Sequence, residues 1–451
     1  MVAGAPVGIA AGLLPGATQG TDQNCNGIDE DCSGADAPLP VARPAPPVAR
    51  AAVAAPRDWN VLLVTIDTLR ADLGFSGYAR PVSPNLDALA ARSVVFDRAY
   101  ALASYTGKSI GPMLAGKYPS ETHRNWGHFN TFGKQDVMVA ERLRRAGVRT
   151  LGVQAHWYFA AFSGIARGFD VWDMSAQPGG GLQPDNDLSV TGERLTASAL
   201  KVLGNADNTA GRFFAWVHYL DPHADYLRHP GSPDFGGGSR APYDAEVWYD
   251  DQQIGRLLEF VARQPWASRT VVIVTSDHGE AFGEHHMIRH GFELWEELVH
   301  VPLLVWAPGI VPHHVAARRS AIDLVPTILD ALGVEPPPGD AKSDFISGQS
   351  LLDDVVAPPG HEPAARDLFV DMPAGPNNDE RRAFYRGDLK LYVSGGVRYQ
   401  LFDLARDPDE RDDRFDDKEL VAKILPAYRA FKAGLREVYV KPIPKEEAAS
   451  P

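Results

Sequence analysis

Four stretches of this chain are apolar at consecutive rather than alternate positions: NVLLVTID (Asn60–Asp67), VRTLGVQAHW (Val148–Trp157), RFFAWVHYLDPH (Arg212–His223) and TVVIVTSDHGE (Thr270–Glu280). A strand that is apolar on both faces is covered on both faces, so these runs predict strands of a largely parallel sheet between helical layers. The segments DVMVAERLRRAG, DAEVWYDDQQIGRLLEFVARQ and AIDLVPTILDALG between and after them predict helices, the first and last closed by Gly. Strand and helix in alternation predict an α/β fold, with polar residues at the carboxyl ends of the strands forming the site.

Two regions break this rhythm. Residues 1–57 are rich in Pro and Ala after an acidic, Cys-containing start, so ordered structure is expected from about Trp59. From about residue 380, KLYVSGGVRYQLFDL predicts a hairpin around Gly395-Gly396, followed by a charged segment and a last helix. The expected organisation is an acidic motif over 1–35, a Pro/Ala linker over 36–57, a catalytic domain over 58–379 and a small antiparallel subdomain over 380–451.

Composition narrows the function. With 451 residues, 44% hydrophobic and 23% charged, the chain is long enough for one large domain with an appendage, or for two domains. A formal net charge of −14 disfavours nucleic acid as a partner, since that affinity rests on neutralising phosphates. No stretch has the ~18 consecutive apolar residues that a membrane span needs. Membrane association is therefore expected only through a segment upstream of the sequence read here. The two cysteines, Cys25 and Cys32, read either as a local disulfide or as two free thiols; the disulfide implies an extracytoplasmic location. Around them Asp22, Asn24 and Asn26 alternate ahead of Gly27, as in the first half of a calcium loop. Position twelve is Ser33 rather than Glu, and an acidic linker is the alternative reading.

The stretch ALASYTGKSIGPMLAGKYPSE (Ala101–Glu121) poses a choice between a phosphate-binding loop and a nucleophile. Gly107-Lys108-Ser109 resembles the end of a P-loop, but Leu102 stands where the first glycine is required, which excludes that loop. Asp67, Asp277 and His278 end neighbouring apolar runs, an arrangement suited to a divalent metal. SDHGEAFGEHHMIRHGFELWEE holds four histidines in a short span, and His218 and His223 close a third run.

NVLLVTIDTLRAD, MLAGKYPSE, FAWVHYLDPHADY, VIVTSDHGEAFGEH, DLVPTILDALG and YQLFDLARDPDER occur in the order expected of the sulfatase family, and the chain resembles that branch of the alkaline phosphatase superfamily over about residues 58–415. The resemblance implies a large mixed sheet flanked by helices, a small C-terminal antiparallel sheet, and metal-assisted attack on an anionic ester. It carries over Asp67, Asp277 and His278 as metal ligands and places the nucleophile at Thr106, ten residues before Gly116. The family's usual Cys-x-Pro-Ser-Arg reads Thr106-Gly107-Lys108-Ser109-Ile110 here, so a Cys-derived formylglycine cannot form; the second tandem Asp is Thr68. His223 matches a histidine near the leaving group and His290 an anion-holding position. Lys108 is the candidate substitute for the missing Arg, and His218 and His285 are expected to support the site.

These residues lead to the expectation of a metal-dependent hydrolase of sulfuric, phosphoric or phosphonic esters, with Thr106 also a ligand of one Zn²⁺, Mn²⁺ or Ca²⁺ ion. Its partners are expected to be anionic small-molecule, glycan or lipid esters. A headgroup transferase and a non-catalytic binding protein are the alternatives.

Overall fold

The computed structural model describes residues 58–178, 190–223, 225–338 and 344–443. Asp22, Asn24, Asn26, both cysteines and the 36–57 linker lie outside the described residues. In chain order the elements used below are β1 (Asn60–Ile66), α1 (Pro84–Ala90), β2 (Val94–Phe96), α2 (Thr106–Ala115), α3 (Val139–Arg145), β3 (Arg149–Val153), β4 (Val171–Asp173), α4 (Gly192–Gly204), β5 (Phe213–Tyr219), α5 (Arg240–Ala262), β6 (Thr270–Ser276), β7 (Leu303–Trp306), β8 (His313–Val315) and α6 (Leu324–Ala331). The small subdomain adds β9 (Leu368–Met372), β10 (Arg381–Arg386), β11 (Leu389–Ser394), β12 (Arg398–Asp403) and α7 (Lys418–Gly434).

The large sheet has eight strands in the order β8-β2-β7-β6-β1-β5-β3-β4. It is parallel from β6 through β4, while β7 runs antiparallel to both β6 and β2. The unbroken apolar run of β1 follows from its central place. Val61 and Leu63 point into a core with Ile110 and Met113 of α2, Leu143 of α3 and Ile328 of α6. Leu62, Val64 and Ile66 point to the other face, against Leu86 of α1, Leu195 of α4 and Ile254 of α5. Both alternating sets therefore leave water, each side chain contributing about 1.5–3 kcal/mol. Among the described residues no helix is long and apolar enough to cross a membrane.

The second sheet is a four-stranded antiparallel meander, β9-β10-β11-β12, whose first strand begins at Leu368, ahead of residue 380. Gly395 and Gly396, with φ of 58° and 72°, supply the two left-handed positions of the β11–β12 turn. Ile424 and Tyr428 of α7 pack with Phe384 and Leu391 of this sheet. Asp371 of β9 ties it to the segments flanking α2: its N–H donates to Leu102 O at 2.9 Å, and its carboxylate accepts from Ser120 N at 2.8 Å.

Candidate active site

β1 and β6 are parallel neighbours with Ile66 opposite Ser276, so the next residues, Asp67 and Asp277, leave the sheet side by side. Both are buried. Thr65 is paired with His218 of β5, which places that imidazole beside Asp67. Thr106 is the first residue of α2, a helix buried along its whole length, and its Oγ1 lies 3.3 and 3.4 Å from the Asp67 carboxylate oxygens and 3.1 Å from His278 Nε2. Ser109, one turn on, donates to Asp277 O at 2.7 Å and pins the helix to the end of β6. Lys108 N and Ser109 N both donate to Tyr105 O at 2.9 Å, so the Thr106 and Gly107 N–H groups are the ones the start of α2 leaves for an anion.

The tautomers follow from the hydrogen bonds. His278 Nδ1 lies 2.9 Å from Gly279 O, so it carries the hydrogen and Nε2 presents its lone pair toward Thr106, Asp67 and Asp277. Thr65 Oγ1 accepts from Trp216 Nε1 at 2.8 Å and donates to His218 Nδ1 at 2.7 Å. His218 Nε2 then faces Asp67 Oδ2 at 3.5 Å as an N–H. Burial opposes ionisation of Asp67, but the neighbouring His218 N–H and the charge of His223 outweigh it and hold this carboxyl well below the usual range. Asp277 goes the other way: burial first, and then the neighbouring Asp67 charge, push it up to about 7.

This donor set fits a divalent cation. Asp67, Asp277 and His278 each offer a ligand atom, all within 4.8 Å of one another. Asp277 Oδ2 is sealed from solvent and has no hydrogen-bond partner among the described residues. Two adjacent buried carboxylates and an imidazole lone pair are costly without a cation between them.

A cavity of about 330 Å³ opens above these groups, with Asp67, Thr106, Lys108, His156, His223 and His290 in its lining. Lys108 Nζ donates to Pro373 O at 2.8 Å and Asn378 Oδ1 at 2.5 Å; burial, aided by the Arg124 charge, pulls this ammonium down to about 7. The His290 ring lies 4.4 Å from that of His278 and 5.1 Å from that of His223, centroid to centroid. Burial opposes its charged form, yet Glu280, 3.1 Å from Nδ1, raises the His290 pKa overall. Burial lowers His156 to about 3.

The structure thus brings together Asp67, Thr106, Lys108, His218, His223, Asp277, His278 and His290, as the sequence predicts. His285 is a correction. Its ring stacks on Trp295 at 4.1 Å and lines a separate cavity, because the chain turns away at Gly283 and passes through left-handed backbone at His285 and His286. Sequence reasoning missed the upper wall: Tyr105, His128, Phe129, Arg289 and Phe292, with Pro376–Asn378 from the β9–β10 loop. Arg289 is also a pocket arginine, although it lies far along the chain from the position where one was sought. A run of rings continues outward from Tyr105 through His128, Phe129 and Trp157 to Phe162, which is 50% exposed.

A family model described as Sulfatase matches residues 59–334, so the chain belongs to the sulfatase family. It is 32% identical over 180 residues to arylsulfatase K of Mus musculus, covering 38% of this chain and 31% of that protein. It is 26% identical over 330 residues to iduronate 2-sulfatase of Homo sapiens, covering 55% and 60%. The chain therefore spans less than two-thirds of either relative. Among solved structures, the phosphonate monoester hydrolase of Agrobacterium radiobacter superposes with a TM-score of 0.65 at 19% identity, covering 83% of this chain and 95% of that one, which shows a shared fold.

Proposed function

We propose that this chain is a metal-dependent hydrolase of sulfuric or phosphoric-type esters, with Thr106 as nucleophile and phosphorus esters preferred. The observation that carries this reading is the position of Thr106 Oγ1, at the start of a helix and within 3.4 Å of both Asp67 and His278. Asp67, Asp277 and His278 would hold the cation, together with Thr106 itself. When bound, it supplies Lewis-acid polarisation of the ester oxygens and lowers the pKa of the Thr106 hydroxyl.

The chain's own groups do the rest. Lys108 and His290 hold the anionic ester over Thr106, at the positive end of the α2 dipole. Thr106 Oγ, its proton lost to bulk water, bonds to phosphorus as the bond to the leaving oxygen breaks. His223 gives that oxygen a proton. Water then attacks phosphorus, His223 takes back a proton, and the bond to Oγ breaks.

The second step explains the preference for phosphorus. A hydrated aldehyde can expel its ester oxygen by re-forming a carbonyl. A Thr ester has no second hydroxyl on its carbon and leaves only by attack at phosphorus or sulfur.

The test is hydrolysis of p-nitrophenyl phosphate, p-nitrophenyl phenylphosphonate and p-nitrophenyl sulfate with Mn²⁺, Zn²⁺ or Ca²⁺, for wild type and Thr106→Ala. Turnover of a phosphorus ester that the variant loses supports the proposal. Turnover of the sulfate alone, or a rate that survives Thr106→Ala, overturns it. Silence on all three esters favours the transferase or binding-protein alternative.

A further inference from the structure

A second cavity, of about 760 Å³, lies where the loop after β6 meets the subdomain loop after β12, and its lining includes His285, Glu297 and Glu410. These residues come from three separate stretches of chain. One ligand atom from each lies within 4.8 Å of the others. We propose that they form a second divalent-cation site, distinct from the one beside Thr106 and suited to Zn²⁺, Mn²⁺ or Co²⁺.

Charge carries the argument. Glu296, Glu297 and Glu410 converge here, and one buried ammonium answers them: Lys390 Nζ lies 3.0 Å from Glu296 Oε1 and 2.7 Å from Glu410 Oε1. Two arginines of the cavity wall pair with other acids of that wall, Arg70 with Asp72 and Glu284, Arg411 with Asp409. Fully ionised, the three carboxylates against one ammonium would leave two negative charges, the complement of a dication. Glu297 Oε1 is sealed from solvent and accepts no hydrogen bond from the described residues. Glu410 is 3% exposed. A sealed carboxylate oxygen such as Glu297 Oε1 is costly unless a cation or proton meets it.

The imidazole is prepared as a ligand. His285 stacks on Trp295, which stacks on Tyr392 at 4.9 Å and 10°, so its plane is fixed. One nitrogen and two carboxylate oxygens suit borderline divalent ions better than Ca²⁺ or Mg²⁺. The open cavity leaves room for water to complete the shell. A cation here would join the two loops, and Gly279, next to His278, already donates to Leu298 O at 2.8 Å, one residue beyond Glu297.

The experiment counts cations on the full chain after chelation and dialysis, by titration with Co²⁺ followed by visible absorption and by elemental analysis with Zn²⁺. Wild type is compared with Glu297→Gln, His285→Ala, Asp277→Asn and the Asp277→Asn/Glu297→Gln pair; circular dichroism confirms that each is folded. Glu297→Gln and His285→Ala are each expected to remove one Co²⁺ or weaken it at least about tenfold, the loss that even an outer partner of a metal site can cause. Asp277→Asn is expected to retain this cation and the double variant to lose it. An unchanged Co²⁺ count and affinity in both Glu297→Gln and His285→Ala overturns the proposal. So does loss of all Co²⁺ from Asp277→Asn alone, whatever Thr106 does.

Discussion

Lys108 Nζ lies 2.8 Å from the carbonyl oxygen of Pro373, joining α2 to the β9–β10 loop. A lysine has three N–H donors. Two are used here, on Pro373 and Asn378, and the third remains for the ester anion. Lys108→Met is therefore expected to lower kcat/KM for a phosphorus ester by about tenfold or more, mainly through KM, because a charge-assisted hydrogen bond is lost. Steady-state kinetics at several ester concentrations checks the split. Loss confined to kcat would move Lys108 out of anion binding.

Thr106→Ser keeps the hydroxyl and removes the methyl that restricts χ1. Its rate is expected to fall on the order of tenfold, the scale on which a loosely placed reacting group costs rate. Thr106→Ala is expected to show no turnover above background. Equal rates for the two variants would exclude the hydroxyl from the chemistry.

Without a cation, Asp67 and Asp277 repel each other in a buried site. Asp277→Asn keeps an acceptor for His278 N, at 3.0 Å in the parent, and removes one of the two charges. The chelated variant is expected to be more stable than chelated wild type by about 1–3 kcal/mol, since each unpaired buried charge is costly. Addition of Zn²⁺ or Mn²⁺ should raise the wild-type Tm well above the chelated value and raise that of the variant much less. Urea unfolding and thermal melts with and without chelator test both statements.

Asp251 gives a pH signature far from the catalytic groups. Its carboxylate accepts from Asn85 N at 3.0 Å and Leu86 N at 2.8 Å, at the start of α1, yet burial pushes its pKa up to about 6. Between the ordinary value of 3.8 and about 6, the folded state holds a proton that the unfolded chain has lost, so this residue makes stability fall as pH rises through that window. Asp251→Asn lacks that slope. The stability of wild type relative to Asp251→Asn is expected to drop by about 1–3 kcal/mol from pH 4 to pH 7. A flat difference across urea titrations in that range would mean that the carboxylate is not destabilised by burial.

Much of the architecture was legible because β1, β5 and β6 are covered on both faces, which writes itself as consecutive apolar residues. Asp67, Asp277 and His278 were legible because each directly follows such a run. The antiparallel course of β7 was not, since its four apolar residues look the same in either direction. Nor was the pocket's upper wall, because Tyr105, Arg289 and Asn378 come from separate loops, and no period or spacing links residues that only the folded chain brings together. His285 misled for the same reason. It lies five residues from His290, but left-handed backbone at His285, His286 and Arg289 sends the two rings into different cavities.

The loop contacts of Lys108 bear on how such a chain can be recombined. The β9–β10 loop belongs to the small sheet by connectivity and to the pocket by contact, so a cut before Leu368 would remove one wall of the pocket along with the subdomain. A graft that exchanges this wall is therefore a short insert, Pro373 to Asp379, carried between two strands that need not change.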